Sequence, residues 1–538
     1  MPVREQVLGG QGSMPNLTIN GIAVSVPDGT TILNAAKRIG IHIPHYCYHT
    51  HLSIAGNCRM CQVEVEKFPK LQTACSTAVT EGMVVRTDTE AVRKAVTGVL
   101  EFLLIHHPID CPICDQAGEC GLQDYYMVYG LHKSRYALEE KIHKKKVQEA
   151  GSGIVLDAER CILCSRCVRF LDEVTGTREL QFFRRGDHSE ISFFPGRPID
   201  NNYAGNLADI CPVGALTSRD FRFKCRVWFL GKTESICTGC ARGCNVEAHF
   251  NGDILYRYKP RVNEAVNRAW MCDFGRLEYR KANEDRLLAP FAREDGREKA
   301  VSWGAALAQA ADGLSRAAEK DGPGAVAVIA SPQSSNEELF LVRRIASDLL
   351  GTANLAFTSR APGDGFSDGF LIHADKNPNS RGAVLLGIPE GEAFDALVGK
   401  IAAGEIRALL LFGNALGAFS EGETGEILSR APFVVQVGTN AGPVSRAAHV
   451  VLPSASFVER GGTFTSFAGR VQRFRAGFPP RGKARNTIEI LVDLANRLGA
   501  GWSFAGEESV FRALSGTEIP FRGMTYESIG SLGQEAAG

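Results

Sequence analysis

Sixteen cysteines occur in this chain of 538 residues, and all lie between Cys47 and Cys272. The run HHPIDCPICDQAGEC, positions 106–120, carries Cys111, Cys114 and Cys120 and is one thiolate short of the four ligands that a tetrahedral ion or a cubane cluster takes. His107, four residues before Cys111, is a candidate fourth donor, giving H-x3-C-x2-C-x5-C, because imidazole nitrogen can ligate iron. His106 beside it competes on sequence alone, and a lone histidine is often only a hydrogen-bonded structural residue. An imidazole in place of a thiolate makes a cluster less negative by one charge, which alters its reduction potential and permits proton coupling.

Three further groups flank this one. Cys47, Cys58, Cys61 and Cys75 form C-x10-C-x2-C-x13-C; a later fourth cysteine after a Cys-bearing loop suits a [2Fe-2S] centre, with a zinc knuckle or unligated thiols as the alternatives. Cys161, Cys164 and Cys167, followed by the distant Cys211-Pro212, form C-x2-C-x2-C…C-P. Three thiolates this tightly spaced wrap a Fe4S4 cube, whereas their short chelate turns distort a zinc tetrahedron. Cys237, Cys240, Cys244 and Cys272 form C-x2-C-x3-C-x27-C, a spacing that a treble-clef zinc site shares. Cys225, in FRFKCRVWFL, is left over and is expected to be a buried structural thiol.

The elements that position these ligands are legible in part. NLTINGIAVSVP predicts a hairpin around Asn20-Gly21, DGTTILNAAKRIG a capped helix ended by Gly40, and CQVEVEKF and EGMVVRTD two strands. Together they predict a small α+β domain. After Cys272 the chain has no cysteine and reads as α/β. GAVAVIA, RALLLFG, FVVQVG and HVVLPS are apolar strands, SSNEELFLVRRIASDLLG is a helix with Ser335 and Glu338 as its capping box and Gly351 as its stop, and NTIEILVDLANRLG is another helix. Strands alternating with helices predict a mostly parallel sheet. This half has neither G-x-G-x-x-G after a strand nor G-x4-G-K-[ST], and no Ser-His-acid or H-E-x-x-H arrangement. The Gly-rich PGDGFSDGF, 362–370, is expected to be a loop, and the whole half a scaffold or docking surface.

Composition excludes other classes. Lys plus Arg and Asp plus Glu are both 60, so no global field recruits nucleic acid or an anionic membrane. The one basic run, KIHKKK at 141–146, is expected to be a solvated connection. The amino terminus has no apolar core of signal-peptide length, and the uncharged run Ala408 to Phe419 is too short for a membrane helix. A cytoplasmic chain is expected, and in a reducing compartment so many cysteines point to metal ligation.

The order of the four groups, followed by the α/β region with RAWMCDFGRLEY, NEDRLLAPFARE and VERGGTFTSFAGRVQRF, closely resembles the large iron-sulfur subunits of bacterial respiratory NADH-quinone oxidoreductase, complex I. The resemblance implies residues 1–15 as a disordered tail and 16–90 as a β-grasp ferredoxin-like [2Fe-2S] domain. It implies a segment with one histidine and three cysteine ligands at 91–130, a [4Fe-4S] ferredoxin-like domain at 131–222, a [4Fe-4S] domain of the type preceding molybdenum pterin sites at 223–286, and a degenerate molybdopterin-oxidoreductase-like α/β domain at 287–538. Position by position it implies one [2Fe-2S] cluster on Cys47, Cys58, Cys61 and Cys75. Three [4Fe-4S] clusters follow on His107, Cys111, Cys114 and Cys120, on Cys161, Cys164, Cys167 and Cys211, and off the main electron path on Cys237, Cys240, Cys244 and Cys272.

The implied function is an electron relay from an NADH/FMN module toward a quinone site, with no catalytic residues and no molybdenum on this chain. The implied partners are a flavin/NADH-binding subunit, a [2Fe-2S] subunit of the 24 kDa type and quinone-side subunits, with no nucleic acid and no direct membrane insertion. The implied location is the cytoplasmic side of the bacterial inner membrane. The alternatives are a subunit of an NAD-linked formate dehydrogenase or hydrogenase, or a non-redox zinc scaffold.

Overall fold

The computed structural model describes residues 13–294, 296–360 and 365–537. Most of the expected amino-terminal tail, and residues 362–364 of the Gly-rich segment, lie outside them. The chain divides into two compact units, Met1–Phe229 and Leu230–Gly538.

The first unit begins with the expected hairpin. Strands β1 (Asn16–Ile19) and β2 (Ile22–Ser25) pair around Asn20 and Gly21, whose φ values of 50° and 83° give the two left-handed residues that a tight hairpin turn needs. Helix α1 (Ile32–Arg38) is capped by the Thr31 hydroxyl and buries Ile32, Leu33, Ala35 and Ala36. Strands β3 (Gln62–Val65), β4 (Gln72–Thr73) and β5 (Met83–Arg86) complete a five-stranded sheet of order β2-β1-β5-β3-β4, in which β1 runs parallel to β5. Alternate residues Ile19, Val63, Val65 and Val85 face α1 and close the core. This is the α+β domain expected from the sequence.

Two helices that the sequence pattern did not reveal follow: α2 (Glu90–Ile105), capped by Thr89, and α3 (Gly121–Tyr129). Next come strands β6 (Gln148–Glu149) and β7 (Ile154–Leu156), helix α4 (Arg166–Glu173), the pair β8 (Leu180–Phe183) and β9 (Glu190–Phe193), helix α5 (Asn206–Ile210) and strand β10 (Leu216–Ser218). The basic run 141–146 is more than a solvated connection. Lys141 Nζ donates to the carbonyls of Leu104 (2.9 Å) and His107 (2.7 Å), and Lys146 pairs with Asp110 and Glu159, each at 2.8 Å. The run is held because buried carboxylates and helix-end carbonyls next to it need cationic partners.

The second unit opens with an antiparallel sheet of β11 (Gly231–Ile236), β12 (Asn245–Asn251) and β13 (Ile254–Pro260), followed by the short helix α6 (Asp273–Leu277). Its main body is a seven-stranded sheet. In chain order it contains β14 (Phe291–Glu294), β15 (Arg297–Ala300), helix α7 (Trp303–Asp321), β16 (Val326–Ile329), helix α8 (Asn336–Arg344), β17 (Leu355–Ala356), helices α9 (Ser380–Leu385) and α10 (Glu392–Ala402), β18 (Ala408–Phe412), α11 (Glu421–Ser429), β19 (Phe433–Gly438), α12 (Pro443–Ala447) and β20 (Val450–Pro453). The order is β15-β14-β20-β19-β18-β16-β17, parallel from β20 to β17 and antiparallel only at β14 and β15.

The four apolar runs fall on β16, β18, β19 and β20 as expected. Their successive residues face opposite cores: Val328 and Leu410 pack with α7, α8 and the helix α13 (Thr487–Arg497), while Ile329 and Leu411 pack with α10 and α12. A sheet covered on both faces needs continuous apolar strands, which is why these runs do not alternate. Helix α8 carries the expected capping box, with Ser335 N donating to Glu338 Oε2 at 2.8 Å and Glu338 N to Ser335 Oγ at 3.2 Å. Gly351 turns the chain away at φ 61° after a π-helical turn, Ile345–Leu349. Among the described residues no helix is long and apolar enough to cross a membrane.

Candidate metal centres

The cysteines of each predicted group come together in space. In the first, Cys47 follows α1, Cys58 and Cys61 precede β3, and Cys75 follows β4. The intervening loop is shaped by left-handed residues, Gly56 at φ 61° and Arg59 at φ 57°. Such alternation turns backbone N–H groups toward an anion. Cys47 N donates to Cys58 Sγ at 3.4 Å. The Cys47 thiol shares hydrogen bonds with Cys58 and Cys75, and Cys61 shares one with Cys75; this sharing holds Cys47 far below the usual thiol range and drives Cys75 far above it. Four thiols this close cannot all ionise unless positive charge enters among them.

The second group hangs from the end of α2. His106 caps that helix, Cys111 starts a 3-10 turn with Pro112 behind it, and Cys120 stands at the start of α3. The two histidines separate clearly. His106 is exposed, its Nδ1 accepts a hydrogen bond from Ile142 N at 3.2 Å, and its ring meets Tyr136 edge-on. His107 is more enclosed, its Nδ1 is buried with no hydrogen-bond partner, and burial lowers its pKa to about 4, which leaves the ring neutral. A neutral imidazole with an unpartnered buried nitrogen is the donor that a metal centre needs. Burial also pushes the Cys120 thiol up to about 11 and raises Cys114.

The third group surrounds α4 and α5. Leu163 and Ser165, both non-glycine, are left-handed at φ 55° and 63°, and Leu163 N donates to Cys161 Sγ at 3.4 Å. Cys211 ends α5. All four cysteines line one cavity of about 20 Å³ with Leu156, Ile191 and Val213. Burial raises Cys161 and Cys211 to about 12 and Cys167 well above the usual thiol range.

The fourth group belongs to the second unit. Cys237 ends β11, Cys244 precedes β12, and Cys272 caps α6, accepting a hydrogen bond from Gly275 N at 3.3 Å. All four thiols are buried, and burial raises Cys237 and Cys244 well above the usual range and Cys272 to about 12. The quartet therefore sits with the α/β body, although the chain's distribution of cysteines alone groups it with the thiol-rich half. Cys225 is half-buried, not the fully buried thiol expected, and its Sγ is 3.5 Å from the Arg226 carbonyl.

Glycines guard the sulfurs. A Cβ on Gly214 would stand 2.3 Å from Cys114 Sγ, and one on Gly275 would stand 2.7 Å from Cys237 Sγ. Among the described residues no three of His, Cys, Asp and Glu are placed to hold a single metal ion. A multinuclear cluster asks for less convergence, since its ligands are distributed over several irons.

Sequence reasoning missed the cations that join these groups. Arg160, next to Cys161, forks onto Asp110, next to Cys111, at 2.9 and 2.6 Å; Lys146 joins them, and against the burial that would raise it these two cations hold the Asp110 carboxyl well below its usual range. Arg166 and Arg169 reach from α4 to the first group's loop. Arg-Cys neighbours, as in ERC and SRC, were the available signal.

Known proteins resemble this chain over the same regions. Residues 13–90 match a 2Fe-2S iron-sulfur cluster binding domain, 97–135 the NADH-ubiquinone oxidoreductase-G iron-sulfur binding region, 151–217 the ferredoxin-like domain of NADH-quinone oxidoreductase subunit 3, and 353–497 the molybdopterin oxidoreductase domain. A NADH-quinone oxidoreductase subunit of the G type from Rickettsia conorii is 41% identical over 336 residues, covering 62% of this chain and 49% of that protein. A NADH-ubiquinone oxidoreductase 75 kDa subunit of Reclinomonas americana is 45% identical over 292 residues, covering 54% of this chain and 42% of that protein. The chain thus spans about half the length of the curated relatives it matches. A solved NAD+-reducing [NiFe]-hydrogenase chain overlays with a TM-score of 0.37 at 27% identity, covering 40% of this chain and 92% of that one.

Proposed function

We propose that this chain, a homologue of the G-type iron-sulfur subunits of NADH-quinone oxidoreductase, is the electron-relay subunit of a respiratory NADH:quinone oxidoreductase. In this reading Cys47, Cys58, Cys61 and Cys75 hold a [2Fe-2S] cluster. His107 with Cys111, Cys114 and Cys120, then Cys161 with Cys164, Cys167 and Cys211, and finally Cys237 with Cys240, Cys244 and Cys272 hold [4Fe-4S] clusters. The observation that carries the reading is His107: three cysteines and one neutral imidazole, its Nδ1 buried and unpartnered, within the region that matches an iron-sulfur binding region.

The clusters supply one-electron transfer. The chain's own residues exclude water, aim backbone N–H groups at the sulfurs through left-handed residues such as Leu163 and Ser165, and set the local charge with His107 and nearby arginines. No side chain is assigned to substrate chemistry. Electrons enter from a flavin/NADH subunit, with a small [2Fe-2S] subunit beside it, and leave toward quinone-side subunits at the cytoplasmic face of a bacterial inner membrane. The fourth cluster stands off this path, and the α/β body serves as scaffold, without molybdenum.

Electron paramagnetic resonance of the purified iron-loaded chain, reduced minus oxidised, tests the reading. One [2Fe-2S] and several [4Fe-4S] signals are expected. Zinc in the metal analysis with no signal on reduction would establish the non-redox scaffold instead, and molybdenum with formate-dependent dye reduction would establish the formate dehydrogenase.

A further inference from the structure

The first and third groups meet across one guanidinium. Arg166 stands between Cys164 and Cys167. Its Nη2 donates to the carbonyl of Tyr48, the residue after Cys47, at 2.6 Å, and its Nη1 to the carbonyl of Ile210, the residue before Cys211, at 3.1 Å. It also lines the cavity that the four cysteines of the third group surround. Its Nε is buried with no hydrogen-bond partner.

Among the described residues no carboxylate pairs with Arg166; Lys37 of α1 and Arg169, on the same helix α4, are cations beside it, and the acidic groups that act on it are the thiols Cys164, Cys211 and Cys47 of the two sites. Arg169 donates to the carbonyls of Cys47 and Ser53 and adds to the same positive region. The contrast is Arg160, which also adjoins the third group but is forked onto Asp110 and stands 3.4 Å from Asp157. An enclosed guanidinium without an anion is costly, and one fixed by two carbonyls cannot turn away to water. Something anionic in the flanking sites must balance it.

We infer that Arg166 is a positioning residue that acts as the shared counter-charge of the first and third sites, stabilising the reduced state of both centres and fixing their ligand loops against each other. The inference rests on the cluster assignment proposed above. Each one-electron reduction, whether by the partner flavoprotein or by an added reductant such as dithionite, places one more negative charge on a group already made anionic by four thiolates. Arg166 stabilises that added charge in both sites. Arg160, balanced by its own carboxylates, contributes little net field.

Redox titration of the iron-loaded full-length chain, followed by electron paramagnetic resonance, tests this with Arg166→Gln, which keeps a donor and loses the charge, and Arg166→Lys, which keeps the charge and loses the fork. In Arg166→Gln the midpoint potentials of the first and third centres shift downward together while that of the His107 centre stays in place, and Arg166→Lys restores them. Failure of Arg166→Gln alone to retain the two clusters, with Arg166→Lys retaining them at the parent potentials, equally supports the role of the charge. Unchanged potentials in Arg166→Gln, or loss of both clusters in the two variants alike, would overturn the inference in favour of a purely structural fork. A parent chain with no cluster signals would instead overturn the functional reading itself.

Discussion

At the scale of single residues, the second site is the most discriminating. His107 and His106 are adjacent, yet only His107 has a buried nitrogen without a partner, while His106 is exposed and hydrogen-bonded. His107→Ala therefore removes one [4Fe-4S] signal, and His106→Ala leaves it in place, as read by electron paramagnetic resonance of the reduced chain. His107→Cys keeps the cluster and lowers its midpoint potential, because a thiolate adds one negative charge. Gly214→Ala places a methyl 2.3 Å from Cys114 Sγ and removes the same signal although every proposed ligand residue is kept. The close-set cysteines were legible in the sequence because their spacing is local, whereas the distant Cys75, Cys211 and Cys272 were legible only through the wider family pattern. The choice between His107 and His106 was not, since burial of one ring depends on how α2 ends. Gly214 was hidden too, because its closeness to Cys114 arises only when distant segments pack.

At the scale of elements, capping and ionic ties decide how firmly the sites are held. Helix α8 is buried along its first turns and begins with a complete capping box, so Ser335→Ala costs about 1 kcal/mol and lowers the thermal midpoint of the full chain. The Asp110–Arg160 pair links the ligand loops of the second and third sites. Asp110→Asn leaves a buried guanidinium short of its main anion and costs about 3 kcal/mol, measured as a lower unfolding midpoint. The hairpin, α1, the parallel strands and the caps were legible because their periodicity and turn residues are local. Helix α2 was not: its buried stripe of Val92, Val96 and Leu100 is blurred by exposed apolar residues such as Phe102, so one face does not stand out. The basic run 141–146 reads as a solvated segment until Asp110 and Glu159, separated from it in sequence, are brought beside it.

At the scale of the whole chain, three cysteine groups lie in the first unit and the fourth in the second, with the parallel sheet. That division supports a relay carried by the first unit, and it sets a test in the assembled oxidoreductase. With the fourth centre off the path, as proposed, Cys240→Ser lowers NADH-to-quinone turnover by less than about twofold where the complex still assembles. Loss of turnover in an assembled complex would place that centre on the path. Whether these residues hold one [2Fe-2S] and three [4Fe-4S] clusters is tested most directly by iron and acid-labile sulfide per purified chain. About 14 of each are expected for one [2Fe-2S] and three [4Fe-4S] clusters; zinc in their place, or iron without labile sulfide, would contradict the cluster assignment.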